Sequence, residues 1–226
     1  MCGRFTLIQP EEVDLIDEIE DLPEEMKPRY NIAPSQPVLV IRPDSSTGGL
    51  TAGMLVWGLI PSWADDRRIG ARLINARSET VAEKPSFRGA FRQRRCLIPA
   101  DGFYEWQSIT GSREKRPHYI RRPDARVFLF AGLWERWSPK AGGAAVESCT
   151  ILTTEANERI RSIHNRMPVI LSAGAGRRWI DPNQTHPDSL RDLLQPVASE
   201  SLIATPVSRH VNRPANDDPS CISPHE

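Results

Sequence analysis

The 226 residues include 29 basic and 29 acidic side chains, giving zero formal net charge, and 39% of the chain is hydrophobic. That apolar fraction suffices for one sizeable core, and the length predicts a single domain over 1–226. No apolar run approaches the ~20 residues of a membrane-spanning helix, which excludes that class.

The neutral total hides an asymmetry. Nine acids lie between Glu11 and Glu25, and nine bases lie between Arg67 and Arg95 against only Glu79 and Glu83. A local polyanion site is therefore allowed, although a solvated face is the commoner fate of a charge run. Arginine outnumbers lysine 25 to 4. This suits forked contacts to phosphate, and a GC-rich genome yields the same bias. Cys2, Cys96, Cys149 and Cys221 never fall at C-x-x-C spacing, so neither a zinc ribbon nor a thioredoxin-type motif is expected. No metal and no cofactor is predicted. The acidic amino-terminal segment does not read as a signal peptide, and the expectation is a soluble, cytoplasmic monomer with reduced thiols.

In chain order, Arg4–Ile8 reads as a strand. Pro10–Glu20 reads as a helix, with Val13, Ile16 and Ile19 at turn spacing and proline at its start. Residues 29–34 form a loop into a strand at Pro37–Arg42, and turn chemistry at Asp44–Gly49 leads to a strand at Leu50–Trp57. Trp57–Trp63 is an aromatic loop, with Trp57 and Trp134 assigned to the core. Leu73–Thr80 leads into a short helix and the basic stretch. Strands are predicted at Arg95–Pro99 and Gly102–Trp106, around a turn at Ala100–Asp101. Others follow at Pro117–Arg121, Val127–Leu133 and Ser148–Thr153. Thr154 can cap a helix through Ile163. Met167–Leu171 is a strand, Ala173–Ile180 and Pro187–Leu194 are short helices, and Ser201–Val207 is a last strand. Residues 212–226 form a Pro/Asp/Ser-rich tail over the surface. The pattern predicts an α+β class, a β-rich and barrel-like single domain with peripheral short helices.

The chemistry begins at Met1-Cys2-Gly3-Arg4. Trimming of Met1 would leave Cys2 with a free α-amine beside its thiol, a 1,2-aminothiol. The amine titrates near ~7.7–8.0 and the thiol near ~8.5, so both are partly nucleophilic at neutral pH. Such an amine attacks an aldehyde to give a Schiff base, and the thiol can close onto the imine carbon as a five-membered thiazolidine. The alternative is an inert cysteine near a terminus.

Three further blocks place polar residues at the edges of apolar elements: Asn75-x-Arg77-x-Glu79, Pro99-x-x-Gly102-x-x-Glu105-Trp106 and His164-x-Arg166-Met167-Pro168. Together with the amino terminus, Tyr30–Pro34, Trp57–Trp63 and Pro206–Ser208, they form an ordered set from Cys2 to about residue 222. This set resembles the SRAP family, named for "SOS-response-associated peptidase". The resemblance implies binding of single-stranded DNA carrying an abasic site, whose ring-opened sugar offers an aldehyde. It implies a thiazolidine DNA–protein crosslink that shields the lesion. It further implies that Asn75 orients Cys2, that Glu105 shuttles protons at the imine, and that His164 protonates the sugar oxygen as the ring opens. Arg4, Arg77 and Arg166 match positions that contact phosphates. Trp63 and Trp106 offer stacking faces. Asn165 stands beside His164 where the resemblance leads one to expect an acid.

Three other readings stay open. Class II glutamine amidotransferases also begin Met-Cys-Gly, but their glutamine-binding signatures are not evident. Cys2, Glu105 and His164 could form a peptidase set. A non-covalent single-strand binder would use the basic stretch and leave Cys2 idle.

Overall fold

The computed structural model describes residues 2–225 apart from positions 14, 20, 21, 25 and 185. The first strands are β1 (Phe5–Leu7), β2 (Arg29–Ile32), β3 (Pro37–Pro43), β4 (Leu50–Trp57) and β5 (Asn75–Arg77). Next come β6 (Arg95–Ala100), β7 (Gly102–Ser108), β8 (Lys115–Arg121), β9 (Phe128–Trp137) and β10 (Val146–Glu155). The last are β11 (Arg166–Pro168), β12 (Ile170–Leu171) and β13 (Ile203–Pro206). Among the described residues three short α-helices lie between them, α1 (Arg88–Gln93), α2 (Glu158–Arg161) and α3 (Ala173–Ile180). Among the described residues no helix is long and apolar enough to cross a membrane.

The strands form two sheets. One has the order β13-β8-β7-β1-β2; the other runs β11-β10-β4-β3-β6-β9-β12, with β5 on β10. An additional antiparallel pairing of β10 with β9 closes β10-β4-β3-β6-β9 into a ring of five strands, so the barrel-like reading holds. Closure leaves those strands without an open edge. Phe5 of β1 sits edge-on to Trp57 of β4 and to Phe130 of β9, at centroid distances of 5.2 and 5.7 Å. Burying a phenylalanine contributes roughly 1.5–3 kcal/mol. One aromatic side chain thus ties the amino terminus of one sheet to the barrel of the other.

The bend after Trp57 depends on glycine. Gly58 has φ +135°, and a Cβ there would lie 2.7 Å from the Gly70 carbonyl oxygen. Only glycine combines that φ with so close an approach. The Trp57 indole then donates to the Ile74 carbonyl at 2.8 Å, fixing the residue just before Asn75.

Several expected elements differ. The Pro10–Glu20 helix is replaced by two 3-10 turns, Pro10–Glu12 and Ile16–Glu18; Asp14 and Glu20 lie outside the described residues. Val13 and Leu15 are both buried, yet residues two apart on a helix point about 200° apart. Extended backbone at Val13 (φ −72°, ψ 117°) separates the turns and lets both side chains reach the core. Thr154 is not a helix cap, because β10 continues through Glu155, opposite Arg166. Asn157 caps α2 instead, accepting from the Ile160 N–H. The Met167–Leu171 strand divides into β11, which pairs with β10, and β12, which pairs with β9. The turn at Ala100–Asp101 is a corner between the two sheets.

Candidate active site

The two sheets bring four separated segments together. β1 lies between β2 and β7, and the Tyr104 N–H bonds the Arg4 carbonyl at 3.0 Å. The strand that carries Glu105 therefore runs beside the chain that leads from Cys2. From the other sheet, β10 pairs with β5 through Ile151 opposite Asn75, and with β11 through Glu155 opposite Arg166.

Cys2 is fully buried. Its Sγ faces the Arg4 carbonyl at 3.7 Å, and Asn75 donates from Nδ2 to the Cys2 carbonyl at 2.7 Å. Asn75 Oδ1 is buried and has no hydrogen-bond partner among the described residues. An unmet buried acceptor costs about 1–3 kcal/mol, so this amide is arranged at some expense of stability. Burial, and secondarily the Glu105 carboxylate, push the Cys2 thiol pKa well up. A resident thiolate is disfavoured.

Glu105 is buried on β7, and burial raises its pKa to about 7. Its Oε1 lies 3.8 Å from His164 Nδ1. That nitrogen accepts the Arg166 N–H at 3.0 Å and lies 3.1 Å from the Arg166 carbonyl. Burial lowers the His164 pKa, which makes its imidazolium a stronger acid. A carboxyl that changes protonation near neutrality beside an acidified imidazole can take and give protons at pH 7.

The three predicted phosphate-binding arginines differ. Arg77, exposed at the end of β5, lines a cleft of about 510 Å³ with Arg161, His164, Asn165 and Arg166. Arg166 is held by both Glu79 oxygens at 2.6 and 3.0 Å, and by the Thr153 carbonyl at 2.6 Å. Burial pushes the Glu79 carboxyl up, but the Arg166 contacts outweigh this and its pKa ends low. Arg4 donates to the Asn31 Oδ1 at 2.9 Å and to the Val211 and Asn212 carbonyls at 2.8 and 3.4 Å. Burial lowers the Arg4 pKa, yet arginine stays protonated in proteins.

The tryptophans separate. Trp106 is half-buried, 5.9 Å from the Arg4 guanidinium carbon, and donates to Asn212 Oδ1 at 2.8 Å. Trp63 is 54% exposed and lines a different cleft, of about 590 Å³, with Arg88 and Arg92. Trp57 is core, whereas Trp134 is only partly buried and stacks under Arg42 at 4.0 Å. A larger cavity, about 1030 Å³, adjoins the His164 cleft through Glu155 and Arg161 but is lined by none of Cys2, Asn75, Glu105 or His164.

Residues 1–214 match the family described as "SOS response associated peptidase (SRAP)". The chain belongs to the SRAP family. It is 46% identical over 229 residues to the abasic site processing protein YoqW of Bacillus subtilis, covering all of both chains. It is 32% identical to the abasic site processing protein HMCES of Xenopus tropicalis, over 87% of this chain and 66% of that one. A Bacteroides thetaiotaomicron crystal structure superposes with a TM-score of 0.80 at 27% identity, covering 89% of this chain and 88% of the other.

Reading this SRAP chain residue by residue missed the second partners of its arginines. Glu79 stands in the Asn75 block, but its pairing with Arg166 spans 87 residues. Asn31 stands in the Tyr30–Pro34 block, but its tie to the tail spans 180 or more. No local signal marks either. Among the described residues, His210, Asp218 and Cys221 could hold a metal, with ligand atoms within 4.8 Å of one another. The hydrogen bonds oppose it. Asn216 Nδ2 donates to the His210 carbonyl at 2.7 Å and faces Nδ1 at 3.2 Å. That leaves the ring proton on Nε2, directed at Asp218 at 2.8 Å, where a metal would need a bare lone pair.

Proposed function

We propose that this protein processes abasic sites in single-stranded DNA by forming a thiazolidine crosslink through Cys2 once Met1 is removed. The observation that carries the reading is the half-buried Asn75 amide, which grips the Cys2 carbonyl and keeps a buried, unmet acceptor at Oδ1. A freed α-amine at Cys2 supplies the N–H that such an acceptor takes. The amine is then the resident nucleophile, since burial keeps the thiol protonated.

The amine nitrogen adds to the aldehyde carbon of the ring-opened sugar, and loss of water gives an imine. The thiol then adds across the C=N bond, sulfur to carbon and its proton to nitrogen. One water leaves overall. Glu105, titrating about 7, relays the thiol proton. His164 supplies a proton to the sugar ring oxygen as the ring opens, while the C1 hydroxyl gives up its own proton and becomes the aldehyde oxygen. Arg4 and Arg77 meet the phosphates, whose contacts give affinity without sequence preference; Arg166 lies beside them with its charge largely cancelled by Glu79. Trp63 and Trp106 stack on flanking bases. We place the protein in the cytoplasm, on DNA, as a monomer.

A thiolate hydrolase has less support, because burial keeps the Cys2 thiol protonated and its Sγ faces the Arg4 carbonyl. Intact mass after incubation with a single-stranded oligonucleotide bearing one abasic site tests the reading. The Met1-less protein should shift by the oligonucleotide mass less one water, and the C2A variant should not shift. A C2A protein that still shifts would overturn it.

A further inference from the structure

Two arginines beside the site are restrained in different ways. Arg166 is held by a carboxylate. Arg4 is held by three oxygens that carry no formal charge, the Asn31 amide and the Val211 and Asn212 carbonyls. Hydrogen bonds from a charged donor to neutral acceptors fix its position without cancelling its charge. Among the described residues, these bonds leave Nε and one Nη2 hydrogen of Arg4 without an acceptor.

The oxygens that hold Arg4 are themselves held. Asn31 binds Arg4 with its oxygen, while its Nδ2 donates to the Val211, Arg213 and Asn216 carbonyls at 3.1, 3.0 and 2.7 Å. One buried side chain thus ties the arginine to the carboxyl-terminal segment. Asp217 locks the next residue down, accepting the Tyr30 and Asn31 N–H groups at 2.6 and 2.8 Å and the Arg29 guanidinium. Asn212 reaches the other predicted DNA-contacting residue on this side, accepting from the Trp106 indole at 2.8 Å.

We propose that Asn31 and Asp217 are positioning residues for nucleic-acid binding. Through the 211–217 strap they hold the Arg4 guanidinium, uncancelled, where it meets a backbone phosphate. This rests on the DNA reading above and extends it to the tail.

The test uses an undamaged single-stranded oligonucleotide, so that Cys2 chemistry plays no part, with binding followed by anisotropy across a salt series. On single strands each phosphate contact contributes about 0.7 to the slope of log K against log salt. R4A should lower the slope by about that amount and weaken binding about tenfold at low salt, as loss of one charge-assisted bond predicts. D217A, which frees the strap, and N31D, which sets a carboxylate against Arg4, should each lower it similarly. Neither should lower it further when combined with R4A, because positions acting through one group are not additive. A purely structural role would lower the melting temperature and leave the slope alone. The two variants act at different atoms, so either one that folds by circular dichroism decides. Unchanged slopes, or losses that add to that of R4A, would overturn the strap. Failure of the wild type to bind the strand would overturn the DNA reading with it, whereas a missing mass shift with binding intact would indict only the crosslink.

Discussion

Arg4 and Arg166 flank the same group of chemical residues and carry the same charge, yet the fold makes them unequal. Arg4 is framed by neutral oxygens and keeps its field; Arg166 is paired to Glu79 and largely loses it. Counting arginines near a site therefore overstates its pull on phosphate. Net charge at each guanidinium, and hence counterion release, depends on whether a carboxylate or only neutral oxygens touch it. The same contrast separates the chemical groups. The Cys2 side is held by neutral hydrogen bonds, whereas the His164 side is a titrating pair.

The largest effect should come from breaking that titrating pair. E105Q is expected to slow crosslinking about 10²- to 10⁴-fold, measured as the single-turnover adduct rate. It should also stabilise the protein at alkaline pH. In the folded state the Glu105 carboxyl titrates about 7 instead of its usual 4.5, so between those values the native state holds a proton that the unfolded state has lost. Stability then falls as pH rises through this window and stays low above it, by on the order of 3 kcal/mol. Denaturant melts at pH 4 and pH 8 should show the wild type losing stability relative to E105Q. An equal loss in both would mean that Glu105 is not held protonated.

A smaller effect is expected at Trp63, which lies off the cleft shared by the His164 segment and Arg77. W63A should weaken binding by roughly 1–3 kcal/mol, the value of one stacked base, and only for strands long enough to reach both clefts. Equal weakening for a very short oligonucleotide would place Trp63 at the lesion itself.

The smallest change sharpens the arginine comparison directly. E79Q uncages Arg166 and should steepen the salt slope for undamaged strand by about 0.7, one further phosphate, with a few-fold gain in affinity. R166A alone should leave the slope near the wild-type value. The opposite pattern would show that Arg166 meets phosphate with Glu79 still in place.

Much of this was legible in the chain itself. Alternating and continuous apolar runs marked most strands within a residue or two, because a strand's periodicity is local. The expectation of an aminothiol at Cys2, once Met1 is removed, also rests on position alone. Other features depend on which distant atoms share a space. The helix expected at Pro10–Glu20 gave way because the core needs Val13 and Leu15 on one side. The cap expected at Thr154 gave way because β10 found a partner in β11. Ring closure rests on β9 meeting β10, and the grip on Arg4 comes from residues 207 and 208 positions away. Residue types and their order thus determined the reactive groups. Tertiary packing decided which groups are buried, which charges are cancelled and which remain free to act, because desolvation and pairing are properties of neighbours in space.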